Sequence, residues 1–264
     1  KGNREKLIGI YRKKLEKFLN GKTIYQGLTE LERENHEKSK YNNLPMRINT
    51  NIEAEKVLMQ KVKQLPTDKV PIIIAGGSFN KKGRVTQITE EGKNILEQLI
   101  QKVNSKKAYL VIGHKMQGYE KAIVDISKRL NKKFEIDAII PKMISEEDTK
   151  QLLSDDLNGI RISIESDEMG IYKSFNYEIF ERRKSVVMAF DGNSPVSNLV
   201  QEAKNGKGKS KIYVNEEIPA LNDKAKSLQG YVIPFNVKEN IIDKILLDNP
   251  EIAENNKLYT DIDL

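Results

Sequence analysis

Residues 186–198 read Val-Val-Met-Ala-Phe-Asp-Gly-Asn-Ser-Pro-Val-Ser-Asn, an apolar strand that breaks at Asp191-Gly192 and opens directly into a helix beginning at Ser194-Pro195. The first turn of a helix presents unpaired backbone N–H groups and a partial positive charge, which together receive phosphate or carboxylate. Two earlier strands end in the same manner. Ile72-Ile73-Ile74-Ala75 stops at Gly76-Gly77-Ser78, and Tyr109-Leu110-Val111-Ile112 stops at Gly113-His114-Lys115-Met116-Gln117-Gly118-Tyr119, each before a helical pattern. In an open parallel α/β sheet, ligands bind outside the carboxyl ends of the strands, so three polar or glycine-rich turns would converge on one rim.

Working outward, short β-branched runs alternate with helical stretches from Val70 onward. The pattern predicts strands at 71–75, 108–113, 134–140, 159–164, 185–190 and 210–214, with helices over 89–104, 118–131, 172–184 and 195–205. Residues 228–234 add a candidate strand and 237–247 a closing helix. Strands separated by helices of this length form βαβ units and a parallel sheet, so the expected fold is α/β and Rossmann-like. Upstream, Leu7, Ile8, Tyr11, Leu15, Phe18 and Leu19 lie at helical spacing among lysines and arginines. Asn51 caps a second candidate helix that stops before Pro66. The expected organisation is a helical N-terminal extension over 1–66, a nucleotide-binding domain over 67–248, and a poorly ordered tail over 249–264.

Composition narrows the function classes. The chain has 264 residues, 45 basic and 38 acidic side chains, a formal charge of +7, and no cysteine. A basic excess favours anionic partners through long-range steering. No apolar run approaches the roughly 18 residues of a membrane span. The absence of cysteine removes disulfides and thiolate chemistry and fits a reducing compartment, so a cytoplasmic location is expected. Two distant histidines, His36 and His114, make no transition-metal site, and no metal or cofactor is expected. The first residue is not Met, consistent with a piece of a longer polypeptide.

The order of these turns resembles the SLOG superfamily, which includes the DNA processing protein A core, the Lonely Guy phosphoribohydrolases and the YspA-like nucleotide-binding proteins. The residues that carry the resemblance are Ile-Ala-Gly-Gly-Ser-Phe at 74–79, Val-Ile-Gly-His-Lys-Met-Gln-Gly-Tyr-Glu-Lys-Ala at 111–122, Ile-Ile-Pro at 139–141 and Met-Ala-Phe-Asp-Gly-Asn-Ser-Pro-Val-Ser-Asn at 188–198. The YspA-like branch is the most similar, and the match covers about 70–215. The resemblance implies a nucleotide or nucleotide-derived ligand across the strand ends, and it suggests dimers. The phosphoribohydrolase branch carries Pro-Gly-Gly-x-Gly-Thr-x-x-Glu after its late strand, with a catalytic Glu at the end. Here Pro195 and Val196 stand at Gly-Thr and Leu199 where the Glu would fall, which argues against a hydrolase of that type.

The candidate ligand-binding residues are Gly76, Gly77, Ser78, Gly113, His114, Gly118, Asn176, Asp191, Gly192, Asn193, Ser194, Ser197 and Asn198. Each also has an ordinary structural account. Gly-Gly after a strand is common turn chemistry, and Ser194-Pro195 is a good cap followed by a good first helical residue. The dinucleotide spacing Gly-x-Gly-x-x-Gly and the phosphate-loop spacing Gly-x-x-x-x-Gly-Lys-Ser/Thr are both absent. The expected function is a sensor or regulatory domain for a nucleotide-derived small molecule, with no catalytic groups assigned. Two alternatives stay open. One is a hydrolase of an N-glycosidic or phosphoester bond using Glu165, Asp167, Glu178 or Asp191. The other is a single-stranded nucleic-acid binding module, although the basic loop Lys204–Lys211 reads as a solvated αβ connection, with only Tyr213 nearby to stack a base.

Overall fold

The computed structural model describes residues 65–77, 86, 88–131, 134–140, 148, 150, 152, 159–162, 175–192 and 194–254. The two N-terminal helices expected over 1–66 lie outside these apart from Leu65 and Pro66. Seven strands form one parallel sheet: β1 (Val70–Ala75), β2 (Ala108–Ile112), β3 (Ile136–Ile140), β4 (Gly159–Ile162), β5 (Val186–Ala189), β6 (Lys211–Asn215) and β7 (Val232–Phe235). Their spatial order is β4-β3-β2-β1-β5-β6-β7, with every neighbouring pair parallel. The fold is α/β and Rossmann-like.

The strand sequences explain the central position of β1. Strands buried on both faces read as continuous apolar runs, and Ile72-Ile73-Ile74-Ala75 is such a run. Pro71 has no N–H for a ladder. It falls where β1 pairs only with β2, because pairing to β5 begins at Ile72.

Side chains alternate between two cores, as the period of two in a strand requires. Ile72, Ile74, Leu110, Ile112 and Met188 enter one core with helices α1 (Glu90–Lys102), α2 (Gly118–Arg129) and α5 (Ile241–Asp248). Ile73, Tyr109, Val111, Val187 and Ala189 enter the other with α3 (Ser194–Asn205) and α4 (Pro219–Ser227). Helix α1 starts where Thr89 accepts a 3.0 Å hydrogen bond from the Gly92 N–H, with Glu90 and Glu91 in the first turn and Lys102 in the last, the arrangement that complements the helix dipole.

Three elements differ from expectation. The described part of the expected helix 172–184 is a π turn over Asn176–Phe180, in which the Glu181 N–H reaches back five residues to the Asn176 carbonyl at 2.9 Å. This winding lets Phe175 and Phe180 enter the same core, with ring centroids 6.3 Å apart. Helix α4 was not signalled by its polar sequence, Pro-Ala-Leu-Asn-Asp-Lys-Ala-Lys-Ser, because only Leu221 and Ala225 need to be buried. Finally, the chain past Asn249 does not loosen at once. Ile252 and Ala253 are buried, Ala253 bridges Val103, and the Glu254 N–H donates to the Lys102 carbonyl at 2.8 Å.

The basic loop after α3 shows why it carries two glycines. A side chain at Gly206 would lie 2.5 Å from Phe180, and one at Gly208 would overlap the Arg183 carbonyl, while the Gly208 N–H donates to the Phe180 carbonyl at 2.6 Å. Lys207, Lys209 and Lys211 are exposed around this packed backbone.

The far side of the sheet offers a test of a buried polar contact. The hydroxyl of Tyr213, fully buried on β6, donates to Asp248 at 2.7 Å and joins α5 to the sheet. Tyr213→Phe is expected to cost about 1–2 kcal/mol, because it removes this bond without removing the ring. Urea denaturation should show a lower midpoint at unchanged slope.

Candidate ligand-binding site

The strand order places a topological switch point at β1. The chain winds outward from β1 to β4, then returns to the other side of β1 as β5 and winds outward again. The turn after β1 leads towards α1 in one layer, and the turn after β5 leads into α3 in the other. A crevice therefore opens at the carboxyl ends of β1 and β5, the place where open α/β sheets bind ligands. The turns are in contact there: a side chain at Gly76 would lie 3.3 Å from the Asp191 nitrogen, and the Phe190 N–H donates to the Ala75 carbonyl at 2.9 Å.

Between β1 and β2 the crevice holds a carboxyl group of the protein itself. Glu120, in the first turn of α2, turns its carboxyl towards the backbone of Gly77 and Gly113, and the N–H groups of Gly77, Gly113 and Gly76 favour its charged form. Added side chains at Gly77 and Gly113 would lie 2.9 and 3.1 Å from its Oε2. A Cβ at Gly77 would also meet the Gln117 carbonyl at 2.7 Å, while one at Gly113 would press only on the carboxylate. Burial pushes the Glu120 carboxyl up to about 7, against the opposing pull of the three N–H donors.

Gly76 and Gly77, expected to cradle a phosphate, and Gly113 at the end of β2 all lie around the Glu120 carboxyl. Gly118 is explained by packing. Its φ is +54°, a side chain there would overlap the Gly76 carbonyl, and that carbonyl accepts a 3.2 Å hydrogen bond from the Tyr119 N–H.

The start of α3 is arranged differently. Gly192, at φ +145°, passes so close to Val196 that a side chain would overlap it. Asp191 Oδ1 accepts from the Gly192 N–H at 2.6 Å, and no acidic residue follows in the first turn of α3. Half-buried Ser197 and Asn198 lie on this helix start. Ser78 and Asn193 lie outside the described residues, and Ser194 is placed only as the first residue of the helix.

Asn176 is not brought to this seat. Its Nδ2 donates to Glu202 Oε2 at 2.6 Å, eight residues into α3 and so about 12 Å along the axis from its start. His114 is buried at the rim, next to Lys115, which pairs with Asp148 at 3.0 Å. Of the groups weighed for hydrolysis, Glu165 and Asp167 lie outside the described residues, and Glu178 is on the π turn, apart from Asp191 in the chain.

Sequence reading missed two contributors. Glu120 has the spacing of an ordinary acidic residue in a helix first turn, and only the glycines at the ends of two neighbouring strands hint that it turns inward. Tyr119 and Phe190 stack under the rim with centroids 4.6 Å apart, and Phe190 meets Phe235 edge-on at 5.6 Å. Buried Asn215 completes this support by donating to the Phe190 carbonyl at 2.9 Å. One pocket at the rim is lined by Gly77, Gly113, His114, Glu120, Phe175 and Val196, among others. Among the described residues no group of three or more His, Asp or Glu side chains could hold a metal ion, and no helix is long and apolar enough to cross a membrane.

No protein-family model matches the sequence, and no curated protein matches it. Among solved structures the chain is similar to DNA processing protein A from Helicobacter pylori, described for its single-stranded DNA binding mode. That likeness has 16% identity and a TM-score of 0.44, covering 69% of this chain and 82% of the other. It is also similar to the molybdenum cofactor carrier protein from Chlamydomonas reinhardtii, at 15% identity and a TM-score of 0.43, covering 69% of this chain and 99% of that one.

The Glu120 carboxyl gives the folded chain a measurable proton balance. With the carboxyl moved from 4.5 to about 7 on folding, the folded state keeps a proton that the unfolded state has released between those values. Its contribution to stability is fully present below pH 4.5 and is lost as pH rises through 7. Urea denaturation from pH 4.5 to 8 should show the stability of the wild type falling relative to Glu120→Gln by about 3 kcal/mol. A constant difference between the two proteins across this range would show that the carboxyl is not raised.

Proposed function

We propose that this chain binds a nucleotide-derived small molecule at the β1–β5 rim, with the ligand's phosphate on the first turn of α3, and that it acts as a sensor or regulatory domain. The observation that carries the reading is the position of that helix start. It opens at the topological switch point, directly after a strand, with no acidic side chain in its first turn. Phosphate placed there gains directional hydrogen bonds and the favourable end of the helix dipole. His114, Lys115 and the apolar walls from Phe175 and Val196 supply a mixed lining suited to a sugar and a base. In this reading residues 1–66 serve self-association or relay to another domain.

A thermal-shift screen tests the reading. AMP, cyclic nucleotides, NAD, ADP-ribose, cyclic ADP-ribose and a short single-stranded oligonucleotide are compared against the full chain. Saturation at about 100 times Kd stabilises by roughly 2.7 kcal/mol, enough to raise the midpoint by several degrees. A selective shift with one small nucleotide is expected. Ser194→Asp, which adds a negative charge at the helix start, should abolish that shift while leaving the midpoint of the free protein near its original value. A shift with the oligonucleotide alone, weakening steeply with salt, would replace this reading with nucleic-acid binding.

A further inference from the structure

We infer that Glu120 sets the orientation and chemical class of the ligand: the β1–β2 side of the rim takes the hydroxyl-bearing sugar of a 5′-nucleotide and refuses a second phosphate. The inference rests on the nucleotide reading above and adds which end of the ligand lies where.

Three observations carry it. The turns after β1 and β2 face the Glu120 carboxyl: its Oε2 lies 2.9 and 3.1 Å from where a Cβ would stand at Gly77 and Gly113. A carboxylate offers about four acceptor positions and no donor. The same carboxyl lines the pocket with Gly77, Gly113 and His114, together with apolar Phe175, Val196 and Leu199. An entering group therefore meets an acceptor there. An alcohol satisfies that acceptor, whereas a phosphate would add a second negative charge beside a buried one.

The pocket joins the two positions. Glu120 from α2 and Val196 and Leu199 from the first turns of α3 line it together, so a ligand whose phosphate sits on the start of α3 has the carboxyl within the same cavity. The charged and titratable neighbours at the rim are His114, Lys115 with its partner Asp148, and Asp191.

Isothermal titration of the full chain with AMP and with 2′,3′-dideoxy-AMP tests the inference at the ligand, so that it does not depend on a variant folding. Loss of both hydroxyls is expected to weaken binding about 10- to 100-fold, the range of a hydrogen bond to a charged acceptor. In Glu120→Gln the difference between the two ligands should shrink. Adenosine 3′,5′-bisphosphate should bind the wild type more weakly than AMP. With ADP-ribose, whose pyrophosphate does not titrate near neutrality, wild-type affinity should rise from pH 6 to 8 as the carboxyl ionises, and Glu120→Gln should lose that rise. Equal binding of AMP and its dideoxy analogue, or tighter binding of the bisphosphate, overturns the inference and leaves the nucleotide reading standing. If neither AMP nor ADP-ribose binds the wild type, the nucleotide reading falls and the inference falls with it.

Discussion

A single carboxyl group organises the rim of this sheet. Glu120 leaves the first turn of α2 and closes on amide groups from the ends of two adjacent strands, drawing the turns after β1 and β2 onto one point. Each part of the neighbourhood follows from making room for it. The backbone at Gly77 approaches the Gln117 carbonyl and the carboxyl, that at Gly113 approaches the carboxyl alone, and Gly118 lets the start of α2 approach the Gly76 carbonyl. The interaction costs desolvation of an acid and recovers part of that cost from the neighbouring backbone N–H groups, so it couples the geometry of the rim to its state of ionisation.

Beneath the carboxyl, support comes from rings. Tyr119, the residue before Glu120, stacks on Phe190, the residue after β5, and Phe190 meets Phe235 at the end of β7. The two halves of the doubly wound sheet are thereby tied together just under the turns that face solvent. Offset and edge-on ring pairs of this kind contribute about 0.5–1.5 kcal/mol each beyond their buried area. Asn215 fixes the same place through the Phe190 carbonyl, so the backbone entering Asp191 and Gly192 is held from both sides.

Much of this architecture was legible in the amino acids. Apolar runs such as 72–75 and 186–190, each ending in a small or polar turn, declare buried parallel strands, and the helical spacing between them gives the layers. The reach of α3 was readable from Ser194-Pro195 and its apolar face. Other features depend on long-range proximity that spacing along the chain does not carry. Nothing local to Glu120 distinguishes it from a solvent-exposed acid in a helix first turn, because what draws it inward are glycines from two other elements. Asn176 looked suited to the rim by its position near a helix start, yet the π turn directs it to Glu202 on the middle of α3. Helix α4 stayed hidden because a helix on the outside of a sheet needs only one or two buried residues per turn.

The π turn at Asn176–Phe180 has a further meaning when read as phase. An advance of five residues along an α-helix rotates through about 500°, which leaves the two positions about 140° apart around the axis. The wider winding returns Phe175 and Phe180 to nearly the same bearing, so both rings enter one core. One additional residue is thus absorbed into the circumference of the turn instead of propagating along the helix. The segment behaves as a vernier: it resets the angular register between Phe175 and the chain entering β5.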